Sequence, residues 1–198
     1  MSKYKTLIIL DWDDTLFPTS WLLKNNINLA NNNITFFSKL DDLLVKLFKK
    51  IVKYGQVAIV TNASTKWVQT SSNILPNTQK IMNHKILLIS AREGYQEVYP
   101  DQMDLWKKLI FKDLVDKHFS GHILQNIISI GDADYEFYAL TDLFDNNSVT
   151  NKRVLKTVRL MKDPSFENLL DQIAVLSESV EKLLFANKHM DLLFTPHV

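Results

Sequence analysis

Residues 6–15 read TLIILDWDDT, a short apolar run that ends in a cluster of acids. Three more apolar runs end in polar residues in the same way, at residues 57–60, 86–89 and 127–130, and a weaker one lies at residues 154–160. Each run is continuous rather than alternating, which is typical of strands that are buried on both faces of a parallel sheet.

Helical patterns lie between these runs, most clearly over residues 36–54 and 105–115. A last helix is predicted over about residues 164–186, with Asp163 as its N-cap and Pro164 at its first position. Strands that alternate with helices predict an α/β fold. We expect a doubly wound, Rossmann-like and mainly parallel sheet of about five strands, with helices on both faces.

The composition is that of one compact domain. The chain has 198 residues, of which 46% are hydrophobic, and its formal net charge is +1. A balanced charge does not indicate nucleic-acid binding, and the lack of cysteine excludes disulfides, thiolate metal sites and cysteine nucleophiles. No apolar stretch reaches the ~20 residues of a membrane span. We therefore expect residues 1–198 to form a single soluble, cytoplasmic domain that does not associate with membranes.

Two carboxylates follow the first predicted strand. Asp11 and Asp13 point the same way, because strand side chains repeat every two residues. Neighbouring carboxylates repel each other unless a cation lies between them, and Mg²⁺ takes oxygen ligands that it often shares with a substrate phosphate. Ligands of open α/β sheets bind at the carboxyl edge of the strands. The sequence therefore predicts a magnesium and phosphate site at this edge.

Two further strand ends carry matching chemistry. Thr61 and Asn62 follow the second run, where a hydroxyl can donate to a phosphoryl oxygen, and residues 131–136 read GDADYE after the fourth. Each segment alone is an ordinary turn or helix start. Because the carboxyl ends of parallel strands meet at one edge of the sheet, the three segments together indicate a single site.

Taken together, these motifs resemble those of the haloacid dehalogenase-like (HAD) superfamily of hydrolases. The first motif, DWDDT at residues 11–15, carries most of the resemblance. Residues 61–62, a helix lysine and residues 131–132 match the other three motifs, so that the resemblance covers residues 6–136. An acid two residues after the first aspartate is typical of the phosphatase branch of the superfamily.

The resemblance implies a role for each matching residue. Asp11 would attack phosphorus and form an aspartyl-phosphate. Asp13 would protonate the leaving oxygen and then activate the hydrolytic water. Thr61 and the lysine would hold the phosphoryl oxygens and offset their charge, and Asn62 and Thr15 would contact the substrate.

The resemblance also implies a Mg²⁺ site. Asp11, Asp132 and the backbone carbonyl of Asp13 would bind the ion, with a second acid of the fourth motif in support. Glu136 matches the usual GDxxxD spacing, whereas Asp134 lies nearer to Asp132 along the chain. We predict that Glu136 supports the metal through a bound water, and Asp134 remains the alternative.

The third motif requires a lysine shortly before the fourth strand, and Lys107 and Lys108 are adjacent candidates. A lysine that reaches the site must lie on the inward face of its helix. The residues four before and four after Lys107 are apolar, Met103 and Phe111, whereas those around Lys108 are charged. We therefore predict that Lys107 is the catalytic lysine.

Several other functions are excluded or remain as alternatives. With only four glycines, the chain has neither a Walker-type phosphate loop nor a G-x-G-x-x-G motif. A phosphotransferase or nucleotidase remains an alternative, as does a catalytically silent interaction protein. The last helix has apolar residues at 3–4 spacing, which would either pack on the protein's own sheet or form an oligomer seam. These residues are Phe166, Leu169, Leu170, Ile173, Leu176, Val180, Leu183 and Leu184.

The intervals between the motifs are too short for a separate lid domain, since domains rarely have fewer than ~50 residues. Residues 16–35 could form a small flap at most, with the asparagine-rich residues 25–33 as a mobile loop. An uncovered site excludes water poorly until the substrate itself covers it. This favours a bulky phosphorylated substrate, either a phosphoprotein or a nucleic-acid end, over a small sugar phosphate.

Overall fold

A computed structural model of the chain describes residues 6–29, 35–118, 124–145 and 153–195. These residues form an α/β fold around one six-stranded sheet in which all neighbouring strands are parallel. The strands are β1 (Thr6–Leu10), β2 (Gln56–Thr61), β3 (Ile86–Ser90), β4 (Asn126–Gly131), β5 (Val154–Arg159) and β6 (Met190–Leu193). The helices are α1 (Thr19–Lys24), α2 (Ser38–Ile51), α3 (Thr65–Ser72), α4 (Pro76–Lys85), α5 (Ala91–Tyr95), α6 (Met103–Asp113), α7 (Asp134–Asp145) and α8 (Phe166–Phe185).

The strand order is β3-β2-β1-β4-β5-β6. From β1 the chain moves outward through β2 to β3, returns to the other side of β1 as β4, and then moves outward in the opposite direction. The winding therefore reverses between β1 and β4. Sheets of this kind bind ligands outside the carboxyl ends of the two strands that flank such a reversal.

Two core clusters explain why the strands are continuously apolar. Ile8 and Leu10 of β1 face a cluster that is covered by α2, α4 and α8, while Leu7 and Ile9 face a cluster that is covered by α6 and α7. Because helices cover both faces of the sheet, consecutive residues of a strand are both buried. The predicted doubly wound fold with helices on both faces is confirmed.

The sheet has one strand more than the five that we predicted. The five predicted strands occur within one residue of their expected bounds at each end. The sixth, β6, pairs with β5 at the edge of the sheet, and three of its four residues are exposed. A short edge strand of this kind lacks the apolar run by which the others were predicted.

The last helix begins slightly later than we predicted. The hydroxyl of Ser165 accepts a hydrogen bond from the backbone N–H of Asn168, so Ser165 is the N-cap and α8 begins at Phe166. Asp163 has a φ of 48° instead, and its prediction as the N-cap is wrong. Pro164 precedes the N-cap, so its prediction as the first helical residue is also wrong. Serine and aspartate are similarly favoured as N-caps, so residue type alone did not separate them.

The apolar stripe of α8 packs inside the protein. All eight of its predicted positions belong to the core cluster shared with α2 and α4. Of the two alternatives for this stripe, packing on the protein's own sheet is confirmed, because these side chains are buried in that cluster. No described helix, α8 included, is long and apolar enough to cross a membrane.

The predicted flap contains one short helix, α1, within the described part of residues 16–35. Residues 30–34 lie outside the described residues, so the prediction of a mobile loop over residues 25–33 is only partly covered.

Gly55 precedes β2 where the backbone of β1 passes very close. A Cβ atom at Gly55 would lie 2.4 Å from the carbonyl oxygen of Thr6, which belongs to a strand that cannot shift freely. We expect Gly55→Ala to lower the free energy of unfolding by roughly 1–3 kcal/mol in a denaturant titration, the usual cost of overpacking.

Gly94→Ala is the matched control. A Cβ atom at Gly94 would lie 3.3 Å from the end of the flexible Ile110 side chain, and Gly94 is helical. Alanine is favoured over glycine in helices by up to about 1 kcal/mol, so this variant should lose little stability or gain some. Equal losses in the two variants would contradict the explanation.

Candidate active site

An open cleft of about 370 Å³ lies at the carboxyl edge of the sheet, where β1, β2 and β4 end. Its position matches the reversal in winding between β1 and β4. It brings together six of the eight residues that we predicted from the sequence. These are Asp11, Asp13, Asn62, Lys107, Asp132 and Glu136.

Asp11 continues the line of β1 into the cleft. Its backbone N–H donates to the carbonyl oxygen of Ile130 at 2.9 Å, so the pairing between β1 and β4 extends one residue beyond the strand. Because β1 and β4 are neighbours, Asp11 and Asp132 lie side by side, each just beyond the end of its strand. The first two predicted metal ligands therefore flank the point where the winding reverses.

Lys107 reaches this point from α6, on the face of the sheet that α6 and α7 cover. Its side chain is 1% exposed, and its ammonium donates to Asp11 Oδ1 at 2.7 Å, to Glu136 Oε1 at 2.6 Å and to the carbonyl oxygen of Val60 at 2.7 Å. These three acceptors satisfy its three protons. The predicted placement of Lys107 beside Asp11 is confirmed, and its catalytic role stays a prediction.

The protonation of this cluster follows from burial and opposing charges. Burial lowers the pKa of Lys107, but Asp11 and Glu136 more than reverse this, so that the pKa lies above its ordinary range and the lysine is charged. Burial raises the pKa of Asp11 well above its ordinary value. The adjacent Lys107 only partly offsets that rise, and the nearby Glu136 and Asp13 add to it.

Negative charge exceeds positive charge in the cleft. Five of its lining residues are acids and one, Lys107, is a cation. Burial, helped by the nearby charges of Glu136 and Asp14, raises the pKa of Asp132 to about 7. Carboxylates that repel one another in this way favour the binding of a cation.

Asp13 is held by three hydrogen-bond donors. Its Oδ1 accepts from the Thr19 hydroxyl at 2.5 Å and from the indole N–H of Trp67 at 2.7 Å. Its Oδ2 accepts from the Thr61 hydroxyl at 3.2 Å. Thr61 in turn accepts from the backbone N–H of Ala63 at 3.0 Å. It is fully buried and does not line the cleft, so its placement differs from the contact with a phosphoryl oxygen that we predicted.

Thr19 and Trp67 were not predicted as site residues. Thr19 begins α1 and Trp67 lies in α3, 54 positions beyond Asp13. A threonine or tryptophan near the start of a helix is common in proteins, so neither residue carries a signal in the sequence. Only the packing of α1 and α3 beside the end of β1 brings them to the cleft.

Asp14 attaches α1 to the wall of the cleft. It adopts a left-handed backbone conformation with a φ of 55°, which aspartate tolerates better than most residues. Its carboxylate accepts from the backbone N–H and from the hydroxyl of Ser20, at 2.9 and 2.5 Å. The turn after β1 and the first turn of α1 are thereby held together.

Thr15 does not line the cleft. Its side chain is fully buried, and its hydroxyl donates to Asp132 Oδ1 at 3.2 Å. This placement differs from the contact with substrate that we predicted, because a buried hydroxyl cannot reach a ligand in the cleft. The arrangement instead allows Thr15 to orient Asp132.

Glu136, and not Asp134, turns into the cleft. Glu136 is buried, whereas Asp134 is exposed. Gly131 makes room for it, because a Cβ atom at Gly131 would lie 2.5 Å from the Glu136 side chain. Since Glu136 Oε1 accepts from Lys107, the support that we predicted for the metal remains to be tested on the other oxygen, Oε2.

Two buried acceptors in the cleft lack a hydrogen-bond partner among the described residues, namely Asn62 Oδ1 and Glu136 Oε2. Asn62 is anchored through its side-chain N–H group, which donates to the carbonyl oxygen of Met103 at 3.3 Å. Buried polar atoms are nearly always satisfied in proteins. Both atoms are therefore available to a bound group, such as a water or the substrate.

The donors in the cleft are of the kind that Mg²⁺ prefers. Within the part of the chain that the structure describes, no three Asp, Glu or His side chains are grouped so that they could hold a metal ion. However, Mg²⁺ often takes only one or two carboxylates and fills its other positions with waters and substrate oxygens. Asp11 and Asp132, the excess of carboxylates and the unpaired Glu136 Oε2 fit such a site.

Comparison of the chain with known proteins gives no match, whether to a protein-family model, to a curated protein or to a solved structure.

The buried position of Lys107 leads to a prediction about stability. Lys107→Met would leave Asp11 and Glu136 without their cation, and breaking a buried ion pair in this way costs roughly 3–5 kcal/mol. A denaturant titration measures the loss, which Lys107→Met combined with Glu136→Gln should partly restore. The matched control, Lys108→Met at a half-exposed position on the same helix, should change stability by less than about 0.5 kcal/mol. Similar losses in Lys107→Met and Lys108→Met would contradict the described network.

The raised pKa of Asp132 predicts a pH-dependent effect on stability. The pKa of Asp132 is about 7 in the folded protein, compared with an ordinary value of 3.8. Between these two pH values the folded protein holds this proton and the unfolded chain does not, so the free energy of unfolding falls as the pH rises through this range. With a chelator present, Asp132→Asn should therefore raise the melting temperature more at about pH 8 than at about pH 5. Asp134→Asn, at an exposed position, is the control. A gain that is the same at both pH values would contradict the prediction.

Proposed function

We propose that this protein is a magnesium-dependent phosphohydrolase of the HAD superfamily, which cleaves phosphomonoesters through an aspartyl-phosphate on Asp11. The observation that carries the proposal is the pairing of two differently held carboxylates in one cleft. Asp11 is bound by a buried lysine, whereas Asp13 is bound by neutral donors. Such a difference in surroundings suits two different roles, nucleophile and acid/base.

Asp11 has one oxygen available for attack. Lys107 holds Oδ1 at 2.7 Å, and no hydrogen bond to Oδ2 is found among the described residues. In the first step Oδ2 bonds to phosphorus, and the bond between phosphorus and the leaving oxygen breaks. The ammonium of Lys107 lies beside the attacking carboxylate, where it offsets the charge that gathers in the transition state.

Asp13 handles the proton in both steps. It first donates a proton to the leaving oxygen, which departs as an alcohol. It then removes a proton from a water whose oxygen attacks phosphorus, so that the bond to Asp11 breaks and inorganic phosphate is released. Because Oδ1 already accepts two hydrogen bonds and Oδ2 only one, the transferred proton belongs on Oδ2.

The remaining predicted residues support these steps. Asp11, Asp132 and the backbone carbonyl of Asp13 would hold Mg²⁺, whose charge would balance the carboxylates and the phosphoryl oxygens. Thr15 keeps Asp132 oriented by its hydrogen bond. Asn62 Oδ1, buried without a partner among the described residues, can accept a hydrogen bond from the substrate or from the attacking water.

The test is the release of phosphate from p-nitrophenyl phosphate. We expect Mg²⁺-dependent turnover that a chelator abolishes. We expect Asp11→Asn to lower kcat by a factor on the order of a thousand or more, because an amide is a poor nucleophile. Asp42→Asn, at an exposed position on α2, is the matched control and should retain full activity.

Two outcomes would contradict the proposal. An Asp11→Asn variant with activity close to that of the unsubstituted protein would exclude the covalent mechanism. An unsubstituted protein that is inactive on a broad panel of phosphomonoesters, with Mg²⁺ present, would favour the catalytically silent alternative.

A further inference from the structure

A second groove, of about 730 Å³, adjoins the catalytic cleft. It lies between α3 on one side and α1 with residues 25–29 on the other, and its volume is within the range of ligand sites in proteins. Thr19 and Trp67 line both the groove and the cleft. The two openings are therefore continuous at the side chains that hold Asp13.

The position of Asp13 determines what this groove would receive. In the proposed reaction Asp13 protonates the leaving oxygen, so the leaving group lies on the Asp13 side of phosphorus and away from Asp11. Thr19 and Trp67, which donate to Asp13, form the boundary between the cleft and the groove. A leaving group that extends beyond its oxygen would pass these two residues and enter the groove.

Trp67 is held rigidly at this boundary. Its indole N–H donates to Asp13 at 2.7 Å, and its ring packs edge-on against Phe17 with a centroid distance of 6.1 Å. The path from Asp13 into the groove therefore has a fixed wall. A rigid aromatic wall suits the binding of an apolar group next to the reacting centre.

The lining of the groove is apolar and uncharged. Leu22, Ile27 and Ile74 form part of its surface, and Leu23 is 73% exposed there. Its other lining residues are threonines, asparagines, Leu29 and Trp67, and none of the lining residues within the described part of the chain is charged. Apolar side chains mixed with amides and hydroxyls can bind apolar groups and hydrogen-bond an uncharged polar chain at the same time.

We propose that this groove binds the apolar, uncharged flank of a phosphorylated residue in a polypeptide, so that the substrate is a phosphoprotein. The inference rests on the proposed function and names the substrate class of the same site. A polypeptide presents a backbone donor and acceptor at nearly every residue, with which the exposed Asn26 and Thr70 side chains of the groove can hydrogen-bond. Its apolar side chains would contact Leu22, Leu23 and Ile27.

Other leaving groups suit the groove less well. A nucleic-acid end carries a phosphodiester charge at each step and needs Lys or Arg for binding. Among the described residues, those that line the groove are all uncharged, and those that line the cleft include five acids and one lysine. A lipid chain would take the exposed Asn26 and Thr70 side chains of the groove out of water without hydrogen-bonding them, which is costly. A small sugar phosphate would leave most of the groove empty.

The test compares kcat/KM for p-nitrophenyl phosphate with that for phosphoserine peptides of equal length that have leucine flanks or glutamate flanks. We expect the leucine-flanked peptide to exceed the glutamate-flanked peptide by about tenfold or more, the size of effect that one or two buried apolar side chains produce. Leu23→Asp should lower the ratio of leucine-flanked peptide to p-nitrophenyl phosphate by about tenfold, mainly through KM.

Phe185→Asp is the matched control. Phe185 is 67% exposed and packs against Tyr54 just before β2, at the opposite edge of the sheet from the cleft. The Phe185→Asp variant replaces an exposed apolar residue with an acid, as Leu23→Asp does. It should leave the ratio of kcat/KM for the leucine-flanked peptide to that for p-nitrophenyl phosphate unchanged. Calorimetric binding of the leucine-flanked peptide to the Asp11→Asn variant is measured in parallel, so that the groove is tested without turnover.

The outcomes distinguish a failure of the groove proposal from a failure of the proposed function. Inactivity on p-nitrophenyl phosphate and on both phosphopeptides overturns the proposed function, while binding of the peptide to Asp11→Asn still decides whether the groove is used. If the protein is active on p-nitrophenyl phosphate but has equal kcat/KM for the two peptides, or if Leu23→Asp has no effect, the proposal that the groove binds the substrate is overturned. Higher kcat/KM for phosphorylated oligonucleotides, nucleoside monophosphates or lipid phosphates than for the leucine-flanked peptide overturns the choice of polypeptide.

Discussion

The buried ammonium of Lys107 holds together the elements that form the cleft. Its three hydrogen bonds reach Asp11 after β1, the carbonyl of Val60 in β2 and Glu136 in α7, while its own backbone belongs to α6. Two strands and two helices therefore meet at one charge. Since an unpaired charge is costly to bury, the arrangement is stable only when all four elements are in place, and the folding of this region and the geometry of the candidate site are linked.

The excess of carboxylates explains both a weakness of the fold and the proposed chemistry. Five acids and one lysine line the cleft, and the pKa of Asp132 rises to about 7 because of its burial and its acidic neighbours. Without a cation the cluster is strained electrostatically. In the proposed function a divalent cation would relieve this strain, and the positive charge of that cation would attract the oxygens of a phosphoryl group.

The surroundings of Asp13 connect the proposed chemistry to substrate choice. The two donors on its Oδ1 come from Thr19 and Trp67, and these residues also line the uncharged groove. An acid that protonates the leaving group must lie next to it. If Asp13 is that acid, the side chains that orient it are also the first that a leaving group meets, and one pair of residues would then serve both rate and specificity.

The local pattern of the chain is enough to predict the α/β class, five of the six strands and the inward position of Lys107, because burial on both faces of a sheet and the helical period leave direct traces in residue order. The convergence of Asp11 and Asp132 also follows from the strand ends alone. By contrast, the edge strand β6, the contacts of Asp13 with Thr19 and Trp67, and the burial of Thr15 behind Asp132 depend on which elements pack side by side. Those contacts are made by common residue types that lie far apart in the chain. No hydrophobic period or sequence motif predicts them, because they form only when the tertiary structure brings their elements together.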